Sequence, residues 1–236
     1  MSRARPVVAI DGPAGAGKTT VTRRVAAELG YPLVDTGALY RSVALAAERR
    51  DISFDDAPAL AELAVELASR QAIRFESGAN AEQRVLLDGE DVSQAIREQT
   101  IGQGASKVSA VPEVRAALLD MQRRAGAKGG VVLEGRDVGT VVFPDAEAKF
   151  FLTASAEVRA RRRFEELRAR GSEIALEQVM REVVERDRRD SERAVAPLRR
   201  AEDALLVDSS ELGIEAVVER IVAHVRGVAR RLAHGR

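Results

Sequence analysis

The fold class that the sequence predicts is α/β, with a five-stranded parallel sheet flanked by helices. Five short apolar runs, each of the length of a buried strand, are separated by stretches with the apolar period of a helix. A glycine-rich motif follows the first run, which is typical of a loop between a strand and a helix. The chain of 236 residues is 45% hydrophobic, enough for one such domain with a sizeable core and an insertion or two.

The first apolar run, Val7–Ile10, leads directly into that motif. The phosphate-loop pattern G-x-x-x-x-G-K-[ST] is satisfied in full by Gly12, Gly17, Lys18 and Thr19. Glycines let successive N–H groups point at one anion, and the following helix adds the positive end of its dipole. A glycine-rich turn without a ligand is disfavoured, because a strand and a helix flank the loop. The residues predicted to bind a nucleoside triphosphate are Gly12, Pro13, Ala14, Gly15, Ala16, Gly17, Lys18, Thr19 and Thr20.

Two side chains of this loop carry specific chemistry. Lys18 is expected to reach the β- and γ-phosphates, and the Thr19 hydroxyl is expected to hold Mg²⁺ carried by the nucleotide.

The second predicted strand spans residues 32–35, and a helix follows for which Thr36 is the expected N-cap. Ligands of open α/β sheets bind beyond the carboxyl ends of the strands, and Asp35 lies at such an end. Taken alone, Asp35 is as compatible with a helix-start acid as with a site. Tyr40 and Arg41, one turn into the helix, face the phosphate site or belong to the ordinary surface.

An insertion is predicted at about 67–105. Residues 57–70 form an amphipathic helix, and residues 72–76 and 84–88 alternate like two strands around a turn at 77–80. This hairpin interrupts an otherwise parallel pattern. A helix beginning at Pro112 and running to about 125 then returns to that pattern.

The third strand, 131–134, ends in a loop with the sequence Gly-Arg-Asp-Val-Gly at 135–139. Arg136 and Asp137 therefore lie where a site belongs, although a loop ion pair of little energetic value is the alternative. The remaining strands and the final helix are predicted at 149–152, 205–208 and 214–232.

A charge-dense helical stretch separates the last two strands. Residues 155–200 contain 13 arginines and 10 acids, and most of them fit a solvated helix face with i,i+4 pairs. Three adjacent arginines at 161–163 repel each other unless an anion is near. Arg186, Asp190 and Arg193 are spaced to share one helix face, where two guanidinium groups can clamp a phosphoryl group.

Composition excludes several classes of function. Lys plus Arg and Asp plus Glu both number 37, and aromatic residues make up 3%, so a nucleic-acid partner is not expected. Without cysteine there is no disulfide, thiolate nucleophile or cysteine zinc site. No apolar run approaches the roughly 20 residues of a membrane span, and the N-terminus lacks a signal-peptide core. A cytoplasmic protein without a membrane partner is expected.

Six stretches together resemble the bacterial cytidylate kinase family over essentially the whole chain. They are IDGPAGAGKTT at 10–20, DTGALYR at 35–41, LDGEDVSQAIR at 87–97, ASKVSAVPEVR at 105–115, EGRDVGTVVFPDA at 134–146 and RDRRDSERAVAPL at 186–198. The last two are highly specific, whereas the phosphate loop is shared by many families. No N-K-x-D guanine motif is present, which argues against a GTPase.

The resemblance implies the nucleoside-monophosphate kinase fold, a P-loop NTPase fold with an inserted monophosphate-binding subdomain and a helical lid. It implies a single unit with its core at about 1–66, 106–154 and 196–236, the insertion at about 67–105 and the lid at about 155–195. The family transfers a phosphoryl group from ATP to CMP or dCMP with Mg²⁺, and a monomer is expected. A P-loop kinase for another small acceptor, such as UMP, AMP or shikimate, is the alternative.

The resemblance also implies roles for individual residues. The residues that match catalytic positions are Lys18, Arg136, Arg162, Arg163 and Arg186. The residues that match CMP-binding positions are Asp35, Tyr40, Arg41, Ser106, Arg115, Arg136, Asp137, Arg186, Asp190 and Arg193, with Ser106, Arg115 and Asp137 at the cytosine. The sequence departs from some relatives at Ala14, where they have Ser and a side-chain contact to CMP is in doubt. It also departs at Thr19 and Glu134, which keep the hydroxyl and the carboxylate.

Overall fold

A computed structural model describes residues 3–77, 83–169 and 171–234. Its strands are β1 (Val7–Asp11), β2 (Leu33–Asp35), β3 (Ile73–Ser77), β4 (Gln83–Leu87), β5 (Glu90–Asp91), β6 (Val131–Gly135), β7 (Ala148–Thr153) and β8 (Leu205–Asp208). Five of them form a parallel sheet in the order β2-β6-β1-β7-β8, which confirms the predicted α/β fold class and all five predicted strands.

The register of this sheet aligns the carboxyl ends of its strands. Asp11 of β1 lies opposite Gly135 of β6, and Asp35 of β2 lies opposite Glu134. Because each of these strands stops at this edge, the loops that follow them converge on one surface.

The helices are α1 (Lys18–Leu29), α2 (Gly37–Glu48), α3 (Ala57–Ser69), α4 (Gln99–Val108), α5 (Pro112–Gly126), α6 (Ala156–Ala169), α7 (Leu176–Glu192) and α8 (Ile214–His234). The sequence predicted α1, α2, α3, α5 and α8, and it predicted α6 and α7 as a single helical stretch, whereas α4 was not predicted. None of the described helices is long and apolar enough to cross a membrane.

Alternating side chains of β1 explain how the sheet is covered. Val8 and Ile10 pack with α1 and α8, whereas Val7 and Ala9 pack on the opposite face with the segment after β6. Both faces are buried, as the continuous apolar run of this strand requires. The sheet is therefore a rigid support for the edge at which its strands end.

The predicted hairpin is present, since β3 and β4 pair antiparallel, and β5 adds a third short strand that the sequence did not predict. Ser77 is the last residue of β3, while residues 78–80 of the predicted turn lie outside the described part of the chain. This small sheet packs with α2, α3, α4 and α5 around an apolar cluster separate from the central sheet.

Helices α6 and α7 pack against each other around a small apolar cluster of their own. The buried members of that cluster are Ala160, Leu167, Val179 and Val183. Many arginines and acids of both helices are exposed, as expected of a solvated face, but Arg159 and Asp190 are buried.

Thr36 takes the predicted N-cap position of α2, but its side chain makes no capping hydrogen bond, and its hydroxyl donates to the Glu134 carbonyl at 2.8 Å in the neighbouring strand. One local prediction is wrong. Arg193 does not continue the face of α7, because the helix ends at Glu192 and Arg193 is extended (φ −60°, ψ 141°). The chain folds back there, with the Leu198 N–H on the Asp190 carbonyl at 2.8 Å.

Candidate active site

The loop between β1 and α1 has the backbone shape of an anion cradle. A Cβ atom at Gly12 would collide with the Leu152 carbonyl of β7, so only glycine lets the loop approach the sheet this closely. Gly17 takes φ 84° and ψ 12° at the start of α1, which again favours glycine. The unpaired N–H groups of the first helical turn consequently face the loop interior, where an anion is favoured.

Lys18 closes this loop from inside. Its Nζ donates to the carbonyls of Gly12 at 2.7 Å and Pro13 at 2.8 Å. Burial holds the pKa of the Lys18 ammonium well below its usual value, and the nearby charge of Arg136 lowers the pKa further. An anion in the loop would reverse both effects, so the ammonium is prepared for a phosphate.

The first turn of α1 also meets a buried carboxylate at the end of β6. Thr19 Oγ1 donates to Glu134 Oε1 at 2.9 Å, and Thr22 Oγ1 donates to Oε2 at 2.6 Å. Burial raises the pKa of Glu134, and the neighbouring Asp35 carboxylate adds to that rise. A positive charge near this pair of acids would therefore be stabilised. Thr20, the last residue of the predicted loop, is exposed.

Around the loop, three predicted residues lie beside α6 and β8. The Ala14 carbonyl accepts from Arg159 Nη1 at 3.1 Å, and the Ala16 carbonyl accepts from Ser209 Oγ at 3.5 Å. Gly15 packs so tightly on the backbone of Arg159 that a Cβ atom there would come within 2.9 Å of its carbonyl oxygen.

A second group of side chains begins at the end of β2. Arg41 of α2 forms an ion pair with Asp35, so these two residues of the predicted site are in contact. The Nε of Arg41 is buried and has no hydrogen-bond partner among the described residues. Tyr40 is buried, and the guanidinium of Arg115 lies 5.3 Å from the centre of its ring.

Arg136 and Arg186 lie next to this pair. Arg136 Nε donates to Asp190 Oδ2 of α7 at 2.9 Å. Burial and the charge of Arg136 lower the pKa of Arg186 to about 10, and Arg41 contributes in the same direction. Burial opposes the charge of Asp190, but Arg136 and Arg186 outweigh it and hold the pKa of that carboxyl below its usual value.

Within this arginine cluster Arg41 and Arg136 each have an acid partner, whereas Arg186 has no ion-pair partner among the described residues. Arg186 Nε is another buried donor without a partner in the described chain, and Lys18 senses the charges of both Arg136 and Arg186. Holding several positive charges close together is costly unless an anion lies between them. The arrangement therefore favours a phosphate group between the phosphate loop and α7.

The remaining predicted residues gather around Asp137, which is 4% exposed. Its carboxylate forms an ion pair with Arg115 and lies 3.4 Å from Nη2 of Arg193. The two arginines repel each other, and Asp137 offsets that repulsion. A carboxylate has about four acceptor positions, so this one retains capacity for a further donor from a ligand.

Ser106 lies at the end of α4, next to this group. It is 3% exposed, and Arg115 reaches the same helix end by donating to the Ser109 carbonyl at 3.2 Å. Thus α4, α5, the 135–139 loop and the end of α7 bring buried polar side chains together, which we call the polar pocket.

The two predicted residues of α6 have other partners in this structure. Arg162 donates to Ser209 at the end of β8, with 3.0 Å to Oγ and 2.6 Å to the carbonyl. It lies beside the phosphate loop, since its Nη1 would be 3.8 Å from a Cβ on Gly17. Arg163 pairs with Glu166 on its own helix at 2.9 Å and is close enough to Arg186 to lower its pKa.

Sequence reasoning missed Asp11. Its carboxylate accepts from the N–H groups of Val138 at 2.8 Å and Gly139 at 2.7 Å, so β1 holds the loop that carries Arg136 and Asp137. Burial raises the pKa of Asp11 to about 6, against the opposing effect of these two hydrogen bonds. An acid directly before the phosphate loop, at a strand end, was the available signal.

Glu134 and Arg159 were also missing from the predicted site. Glu134 directly precedes the Gly-Arg-Asp loop at the end of a strand, which is a usable signal. Arg159 offered no signal in the sequence, because its contacts depend on the fold. Its Nη2 lies 2.7 Å from the Asp187 carboxylate of α7, and its Nε donates to the Ala154 carbonyl. It joins the phosphate loop, the end of β7 and α7.

Comparison with known proteins gives one consistent result. The family model described as cytidylate kinase matches residues 8–227. A cytidylate kinase from Geobacter sp. (strain M21) is 55% identical over 97% of this chain and 95% of its own length. A cytidylate kinase from Pseudomonas syringae pv. tomato is 50% identical over 93% of this chain and 95% of its own length.

Among solved structures, an uncharacterized protein from Eubacterium ventriosum is similar with a TM-score of 0.52. That likeness covers 94% of this chain and 99% of the other at 11% identity, and it supports the fold alone.

Proposed function

This chain belongs to the cytidylate kinase family, and on that premise we propose that it transfers the γ-phosphoryl group of ATP to CMP or dCMP, giving ADP and CDP or dCDP. One observation carries the proposal: Arg186 has no ion-pair partner among the described residues, and burial and the charges of Arg136 and Arg41 lower its pKa to about 10. Two phosphate groups brought together there would supply the missing negative charge.

For ATP, we assign the loop from Gly12 to Thr20. Its backbone N–H groups and the start of α1 would hold the phosphates, and Lys18 would exchange its two carbonyl partners for phosphate oxygens. Ala14 contributes backbone only, so no side-chain contact from this position to CMP is proposed.

Mg²⁺ fits the residues present, and it would be held by Thr19 and Glu134 together with the phosphates of ATP. Both side chains offer oxygen ligands, and Mg²⁺ is commonly bound through one or two protein oxygens plus substrate phosphates. The raised pKa of Glu134 supports a cation there, because a positive charge would relieve its burial beside Asp35. When bound, Mg²⁺ supplies positive charge for the phosphoryl oxygens.

For the acceptor phosphate, we assign Arg41, Arg136 and Arg186. The Nε atoms of Arg41 and Arg186 have no partner among the described residues, and the charges of Arg136 and Arg41 lower the pKa of Arg186. Asp35 and Asp190 hold Arg41 and Arg136 in place. We assign Asp190 and Arg193 to the sugar and phosphate of the acceptor. Tyr40 holds the guanidinium of Arg115 against its ring.

For the base, we assign Asp137, Ser106 and Arg115. The amino group at cytosine N4 donates where uracil O4 accepts, so a carboxylate such as Asp137 favours cytosine. Arg115 and Arg193 fix the orientation of that carboxylate. Discrimination becomes large when the wrong base leaves such a buried group unpaired.

The proposed transfer is in line and needs no strong general base, because the acceptor phosphate is already anionic near neutral pH. Catalysis is then positioning plus charge stabilisation. Segment 155–195 is proposed as a lid, with Arg162 and Arg163 reaching the transferring group once they leave Ser209 and Glu166. Segment 67–105 is proposed to cover the acceptor. The lid must exclude water, since water would otherwise accept the phosphoryl group.

We also propose a monomer that works in the cytoplasm, with neither nucleic acid nor membrane as a partner. The balanced charge, 37 basic and 37 acidic residues, supports the exclusion of a polyanionic partner.

The test is ADP release from ATP and Mg²⁺ with CMP, dCMP, UMP, AMP, GMP or shikimate offered separately. Strong turnover with CMP and dCMP, weak turnover with UMP and none with the others is expected. Activity with a different acceptor but not with CMP would retain the phosphate loop as an ATP site and overturn the assignment of Ser106, Arg115 and Asp137.

A further inference from the structure

One hydrogen bond joins α7 to α4 beside the polar pocket. Arg189 Nη1 donates to Ser106 Oγ at 2.8 Å. The serine is buried, while the arginine side chain is 31% exposed and lies 3.4 Å from Glu185 one turn earlier. No feature of the sequence singled out Arg189, and the proposed function gives it no role.

This bond orients the serine hydroxyl, which keeps its hydrogen and one acceptor position for other partners. A hydroxyl can donate one hydrogen and accept two, whereas a guanidinium only donates. Ser106 is therefore the acceptor toward Arg189, and its hydrogen points away from the cation. Ser106 Oγ has no acceptor of its own among the described residues, so that hydrogen is free for a ligand.

We infer that Arg189 is a specificity-determining positioning residue that presents the Ser106 hydroxyl as a donor to the pyrimidine ring. This inference rests on the proposed function. Cytosine N3 accepts a hydrogen bond, whereas uracil carries a hydrogen on N3 and donates. Ser106 as donor and Asp137 as acceptor thus match two adjacent atoms of cytosine and mismatch both in uracil.

The alternative is that Arg189 only docks α7 on α4. Docking without an effect on the serine would weaken the use of CMP and UMP equally, because both nucleotides share the sugar and the phosphate. The ratio of kcat/KM for CMP to kcat/KM for UMP therefore separates the two roles, whereas loss of total activity does not.

The experiment compares Arg189→Met with Arg188→Met in the full chain. Arg188 is a matched control, because it lies on the same helix, is 61% exposed and pairs with Glu185 at 3.2 Å and Glu192 at 3.5 Å. We expect Arg189→Met to lower the CMP/UMP ratio by about tenfold, the effect of losing one hydrogen bond to a charged group. The ratio should stay unchanged in Arg188→Met, and the KM for ATP should stay unchanged in both variants.

A second variant tests whether Arg189 acts through Ser106. Ser106→Ala should lower the CMP/UMP ratio by itself, and adding Arg189→Met should then change the ratio no further. Because Ser106→Ala carries its own expectation, a poorly folded Arg189 variant does not remove the test.

Two results would overturn the inference alone: equal losses with CMP and UMP in Arg189→Met, or an unchanged ratio in Ser106→Ala. A wild-type protein that phosphorylates neither CMP nor dCMP would overturn the proposed function and this inference with it.

Discussion

The phosphate loop and the arginine cluster are built in opposite ways. The loop is one continuous stretch of chain whose interior groups satisfy each other, with the Lys18 ammonium on two carbonyls of its own loop. The cluster is assembled from α2, the loop after β6 and α7, and it leaves buried donors of Arg41 and Arg186 without partners in the part of the chain that the structure describes.

This difference indicates which half of the site is complete without a ligand. Lys18 finds backbone partners within a few residues, so its loop keeps its shape when empty. The cluster instead holds several like charges together, and Asp35 and Asp190 offset only part of their repulsion. We therefore expect substitutions in the loop to reduce activity alone, and substitutions in the cluster to change stability as well.

The largest effect is expected at the loop. Lys18→Ala should lower kcat by about a thousandfold, because the charge nearest the transferring phosphates is lost. The melting temperature should change little, since the ammonium is costly to bury. Steady-state ADP release and thermal unfolding measure the two quantities, with Lys128→Ala at an exposed turn as the control. A kcat within about tenfold of the wild type would contradict the role of Lys18.

In the cluster, Arg186→Met should lower kcat/KM for CMP by about a hundredfold. It should also raise the melting temperature of the free protein by roughly 2–4 °C, because the repulsion with Arg136 and Arg41 disappears. Arg181→Met, an exposed position on the same helix, is the control for both measurements. A loss of activity together with a lower melting temperature would mean that Arg186 is a structural residue.

A smaller effect on activity is expected at Asp137, which lies between Arg115 and Arg193. Asp137→Ala should raise the KM for CMP by about thirtyfold and leave the KM for ATP within a factor of about three. It should also destabilise the protein, because Arg115 and Arg193 would remain buried without their shared partner. Steady-state kinetics with CMP and ATP varied in turn measure the two KM values. Equal increases in both would argue against base recognition by Asp137.

The smallest effect is expected on the pH dependence of stability. It concerns Asp11, which joins the start of the phosphate loop to the loop that carries Arg136. Its pKa is raised from 3.8 in the unfolded chain to about 6 by burial, so the folded protein binds this proton more tightly. Between these pH values the folded state carries more protons than the unfolded state, and the contribution of Asp11 to the free energy of unfolding falls as pH rises. Carboxyl-selective NMR should show its titration near pH 6 and its loss in Asp11→Asn. A midpoint at the unperturbed value would show that the two N–H donors outweigh burial.

How far the sequence predicts the molecule depends on how local each feature is. The five strands follow from apolar runs, and the runs of β1 and β6 are the clearest because a strand covered on both faces must be apolar throughout its length. Helix α4 was missed, since Gln99–Val108 contains two glycines and is stabilised by packing against α2 rather than by its own propensity. Thr36 satisfies the sequence rule for a cap, but the neighbouring strand offers its hydroxyl a better acceptor.

The sequence by itself determined the phosphate loop, since Gly12, Gly17 and Lys18 act on neighbours within their own stretch of chain. It also placed Asp35, Arg136 and Asp137 at strand ends, because parallel strands bring those ends to one edge. Only the tertiary structure decided which charge meets which: Arg136 with Asp190, Arg115 and Arg193 with Asp137, and Arg189 with Ser106. Such pairs join residues far apart in the chain, and their partners are set by how α4, α5 and α7 pack around the loop after β6, for which no local pattern codes.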